Sequence, residues 1–107
     1  MKHILAVIKP YLVEKVIAEL ARFTIEEITI REVKGFGRQK NYLDRYLDNE
    51  YSGAFIPKVE LSIWCNDEDG ESIVESMMKV SRTGRMGDGK ILVMPVLEQQ
   101  IVGQSRK

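Results

Sequence analysis

At 107 residues the chain has room for one hydrophobic core and not for two, so a single domain is expected. Lysine plus arginine and aspartate plus glutamate each number 16, which excludes a general affinity for nucleic acid or an anionic membrane and makes any charged function local. The single cysteine, Cys65, cannot close an internal disulfide, and the single histidine, His3, has no metal-ligating neighbours in sequence, so both read as structural.

Lys2 to Lys9 (KHILAVIK) is a short apolar run stopped by Pro10 and reads as a buried strand. It is too short to span a membrane and carries no signal-peptide cleavage pattern, which implies a cytoplasmic protein without membrane insertion. From Tyr11 to Arg22, Leu12, Val13, Val16, Ile17, Leu20 and Ala21 line one helical face, with Glu14, Lys15, Glu19 and Arg22 left for solvent. Glu27 to Phe36 alternates as a second strand. Pro57 to Cys65 alternates cleanly, with Val59, Leu61, Ile63 and Cys65 on one face. Asn66 to Gly70 is a turn, Glu71 to Arg82 has Ile73, Val74, Met77 and Met78 at helical spacing, and Lys90 to Val96 is the last strand.

The order β-α-β-β-α-β predicts an α+β ferredoxin-like sandwich, with both helices on one face of an antiparallel sheet. The other face is left bare. Leu5, Val7 and Trp64 contribute to it, and an apolar face without helices predicts an oligomer.

Two connections stand out. Gly37 to Phe55 is long, charged and tyrosine-rich, and such loops in small domains are functional or mobile. Thr83 to Gly89 (TGRMGDG) is glycine-rich and is followed by Lys90. Gly84 through Lys90 matches phosphate-loop spacing, but Ile91 replaces the magnesium-binding Ser or Thr, and the loop leaves a helix for a strand instead of the reverse. The nucleotide-hydrolysing reading is rejected. Two readings stay open: a phosphate cradle built on exposed backbone N–H groups with Arg85 and Lys90, or a structural turn.

Lys34-Gly35-Phe36-Gly37 reproduces half of an RNA-recognition signature, but Arg38-Gln39-Lys40-Asn41 supplies no stacking aromatics and the segment ends the wrong strand. An acylphosphatase-type hydrolase would need an anion-binding loop after the first strand. Here Lys9-Pro10 runs directly into the helix, and no nucleophile has a base partner evident in the sequence. A binding protein is expected, not an enzyme.

Four segments, Ile8-Lys9-Pro10, Val33 to Lys40 (VKGFGRQK), Phe55 to Val59 (FIPKV) and Arg82 to Ile91 (RTGRMGDGKI), stand in this order and spacing. Together they resemble the signature regions of the nitrogen regulatory P-II signal-transduction family, from Met1 to about Val96. The resemblance implies a homotrimer with ATP, ADP or AMP in clefts between subunits. It also implies a protruding T-loop, here 37–55, that engages a membrane transporter or metabolic enzyme, and a B-loop at 83–89.

Matched by position, Gly35, Gly37 and Arg38 would meet the nucleotide at the base of the T-loop. Gly87, Asp88, Gly89 and Lys90 would hold its phosphates and ribose, with Thr83, Gly84 and Arg85 completing the cradle. Val7, Thr29 and Trp64 would lie near the adenine. Gln39 and Lys58 match the residues that bind Mg2+ with 2-oxoglutarate, and Tyr51 matches a tyrosine that some bacteria uridylylate, the alternative being an exposed loop aromatic. The chain departs from the family pattern at Ser62, Trp64 and Asn41. It departs again in the segment 96–107, where Ile101 and Gly103 replace two phosphate-binding arginines and the tail lacks the usual Thr-Gly-Glu. These departures describe a divergent paralogue, and they leave open a relative that senses adenylates together with bicarbonate or another small anion in carbon metabolism.

Overall fold

Alternation along the first strand, β1 (Lys2–Ile8), sends Ile4, Ala6 and Ile8 into the core and His3, Leu5 and Val7 to the opposite face. The computed structural model describes residues 1–35, 56–84 and 88–103. After β1, Pro10–Leu12 forms a 3-10 turn that leads into α1 (Val13–Leu20). β2 (Ile25–Gly35), β3 (Ile56–Cys65), α2 (Gly70–Ser81) and β4 (Gly89–Pro95) follow, with a second 3-10 turn at Asp67–Asp69 before α2.

The four strands form one antiparallel sheet in the order β2-β3-β1-β4, the ferredoxin-like arrangement expected from the sequence. β3 carries the clean alternation to its conclusion, since Val59, Leu61, Ile63 and Cys65 are all buried. On the same face the 3-10 turn contributes Leu12, α1 contributes Val16 and Leu20, and α2 contributes Ile73 and Met77. Each such side chain, removed from water, supplies about 1.5–3 kcal/mol. Arg22 ties the helices together by donating to Ser76 Oγ at 2.7 Å and to Glu19 Oε1 at 3.1 Å.

Several element ends differ from the sequence-based expectation. Pro10 fixes the φ of a tight first turn, so α1 proper begins at Val13 rather than Tyr11. It stops at Leu20, where Ala21 donates to both Ile17 and Ala18 and the last turn tightens. β2 starts earlier than expected, at Ile25, because a bulge between Ile25 and Glu27 interrupts its alternation and conceals its first residues.

No helix among the described residues is both long and apolar enough to cross a membrane.

Candidate functional site

The sheet face without helices is built from rows of side chains fixed by strand register. Trp64 stands beside His3 on one side and Glu27 on the other. The His3 and Trp64 rings are stacked, with centroids 4.5 Å apart and planes 4° from parallel. Thr29, Ser62, Leu5 and Leu92 form the next row, and Arg31, Glu60, Val7 and Lys90 the one after, with Arg31 paired to Glu60. Val7, Thr29 and Trp64 therefore share this face. Thr29 on β2 and Lys90 on β4 are separated by three strand spacings, about 14 Å across the sheet, and by one row, about 7 Å, along it.

Charge collects where β1 ends. Lys9 lies beyond the Ile8–Val59 and Ile8–Gly89 pairs, so it comes between Lys58 on one side and Asp88 on the other. Its Nζ is 3.0 Å from Asp88 Oδ1 and donates to Thr83 Oγ1 at 3.4 Å. Asp88 also accepts the backbone N–H of Thr83 at 2.8 Å, the N–H of Gly84 at 2.9 Å, and the Thr83 hydroxyl. The Thr83 hydroxyl, followed by Lys9 and the two backbone donors, holds the Asp88 carboxyl far below the usual carboxylate range.

Lys58 is only 6 % exposed, and burial, reinforced by the neighbouring Lys9 charge, lowers its ammonium pKa against a smaller opposing pull from Asp88. Gly35 lies against it, such that a Cβ at that position would stand 3.4 Å from Lys58 Cγ. A cavity of about 400 Å3 opens here, lined by Lys58, Val33, Glu32, Lys34, Pro57, Val59 and Pro10. A smaller one of about 120 Å3 lies on the helical side of Asp88, Gly89 and Lys90, walled by Ile8, Ile91, Met78, Ser81 and Arg82.

Among the site residues named from sequence, Thr83, Gly84, Asp88, Gly89, Lys90 and Lys58 come together at this end of the sheet with Gly35. Gly37, Arg38, Gln39, Tyr51, Arg85 and Gly87 lie outside the described residues. Ile101 is about half exposed and Gly103 takes a φ of 93°. Lys9 is the residue that sequence reasoning left without a role. Its signal was its place as the last residue before the proline that ends β1.

No group of three or more His, Cys, Asp or Glu among the described residues is arranged to hold a metal ion. Lys9, Lys34, Lys58 and Lys90 at this end of the sheet outnumber the carboxylates of Asp88 and Glu32 beside them, a chemistry suited to anions.

The fold and this cluster define a ferredoxin-like α+β sandwich that pairs an uncovered sheet face with a basic, glycine-rich end. The chain belongs to the nitrogen regulatory protein P-II family, a family of signal-transduction regulators, whose model matches residues 1–106. It is 42% identical over 98 residues to the nitrogen regulatory protein P-II of Rhizobium meliloti (strain 1021), covering 92% of this chain and 88% of the relative. It is 43% identical over 98 residues to that of Azospirillum brasilense, again over 92% and 88%. The protein of the same name from Klebsiella oxytoca is 42% identical over 96 residues, 90% of this chain and 86% of the relative.

Proposed function

We propose that this protein is a cytoplasmic, non-catalytic regulator that binds adenine nucleotides between the subunits of a homotrimer. The bound nucleotide would control a transporter or metabolic enzyme through the segment 37–55. The observation that carries this reading is the convergence of Lys9, Lys58, Lys90, Thr83, Gly84 and Asp88 at one end of a sheet face that no helix among the described residues covers. Nucleotide phosphates need a concentration of cations and backbone donors, and adenine needs a flat apolar surface, which Val7, Leu5 and Trp64 supply on the same face.

Calorimetric titration with ATP, ADP and AMP, paired with sedimentation, tests both halves of the reading. Binding of one nucleotide per subunit to a trimer is the expected result. A stable monomer, or no heat with any of the three, overturns it.

The tail favours a particular ligand order. Ile101 and Gly103 place no cation where the family carries two arginines, so the outer phosphate of ATP is held less well and ADP or AMP competes effectively. An ATP affinity ten-fold above both others at matched ionic strength would refute that order.

The buried Lys58 beside its cavity supports a second ligand with a carboxylate, either 2-oxoglutarate with Mg2+ or bicarbonate. Titrating each into the nucleotide-bound protein separates orthodox nitrogen sensing from a paralogue that senses inorganic carbon.

A further inference from the structure

We infer that Asp88 touches no ligand and is instead the clasp of the glycine-rich connection, fastened to β1 by Lys9. A carboxylate offers about four lone-pair sites. All are engaged: Oδ2 takes the N–H groups of Thr83 and Gly84, while Oδ1 takes the Thr83 hydroxyl and the Lys9 ammonium. No acceptor remains for a ribose hydroxyl. The bonds instead join Thr83, two residues beyond the end of α2, to the residue that precedes β4, five positions later in the chain.

Lys9 completes the arrangement from the other end of the sequence. It donates to Thr83 Oγ1 as well as to Asp88, so the three side chains form a closed triangle at the tip of β1. The lysine charge also balances the carboxylate, which would otherwise repel any phosphate brought to Gly89 and Lys90. Asp88 and Lys9 are thus positioning residues that hold the ends of the loop where its donors can serve an anion. This inference rests on the nucleotide reading only for that last step.

Amide exchange and calorimetry on the full chain test it, using Asp88→Ala, Asp88→Asn and Lys9→Met beside the wild type. In Asp88→Ala the Thr83 and Gly84 amides should exchange at least about ten-fold faster while those of β1 and β3 keep their protection. ATP affinity should fall by about ten-fold and adenosine affinity by no more than roughly two-fold. Asp88→Asn, which keeps an acceptor for the two backbone N–H groups, should recover part of both effects, and Lys9→Met should reproduce them more weakly.

Unchanged exchange at Thr83 and Gly84 overturns the clasp. Equal or tighter ATP binding by Asp88→Ala would show that the carboxylate blocks the phosphate seat, and an equal loss for adenosine would show a ribose contact. Either refutes the assignment. If the wild type binds neither ATP nor adenosine, the nucleotide reading fails, and the clasp stands or falls on the amide exchange alone.

Discussion

Gly89 and Val7 approach so closely that a Cβ built on Gly89 would lie 1.9 Å from the Val7 carbonyl oxygen. The glycine also holds a φ of 116°, outside the range that L side chains adopt without strain. β4 can therefore enter the sheet beside β1 only at a residue without a side chain. Gly89→Ala should destabilise the protein by about 3 kcal/mol or more, through displaced backbone and strained dihedrals together. Urea unfolding followed by circular dichroism measures this, and a loss below about 1 kcal/mol would show that the strand end shifts freely.

Met77 and Met78 are adjacent on α2 yet differ in surroundings, the first being fully buried and the second 37 % exposed. Met77→Ala leaves a hole between helix and sheet and should cost about 2–4 kcal/mol. Met78→Ala borders the smaller cavity and should cost no more than about 1 kcal/mol. Equal losses in parallel denaturation curves would contradict the helix orientation.

Trp64 is the sole tryptophan, and its stack on His3 makes its emission a probe of the uncovered sheet face. Nucleotide binding in which the adenine packs on this face should change that emission saturably, with the same midpoint that calorimetry gives. Emission that stays constant through a calorimetrically saturating titration would place the base elsewhere. His3→Ala, which removes the stacking partner, should alter the emission before any ligand is added and lower stability by about 1 kcal/mol.

Lys58 gives the protein a pH dependence with a definite sign. Its folded-state pKa lies below the ordinary 10.5, so between the two values the unfolded chain binds more protons, and stability gains from raising the pH. Below the folded value the buried charge is a constant cost. Lys58→Met should therefore melt higher than wild type at pH 7, and the difference should narrow as the pH approaches 10.5. A difference that stays constant over that range would mean that the ammonium pays no net burial penalty.

The architecture was legible wherever periodicity and burial coincide. Val59 to Cys65 announced both its strand and its inward face, because one face meets helices and the other does not. The bulge at Ile25 broke that correspondence, since an extra residue reverses the alternation locally and nothing in the side chains marks where. The glycine-rich connection was legible from its composition as a special segment with two readings, an anion cradle or a structural turn. Its closure by Lys9 was not, because Lys9 and Thr83 are 74 positions apart and meet only through the pairing of β1 with β4. The partners of Asp88, namely Thr83, Gly84 and Lys9, were likewise not legible in sequence.

The interior position of β1 bears on how the chain is made. It leaves the ribosome before the other three strands, yet both of its neighbours, β3 and β4, come later, and one of its edges stays open until Pro95 has emerged. The β2–β3 pair can zip together during synthesis, but the Lys9 triangle closes only after Thr83 and Asp88 have emerged. Ribosome-bound nascent chains cut short before β4 should therefore remain protease-sensitive at β1, which couples the assembly of the basic end of the sheet to the emergence of its last strand.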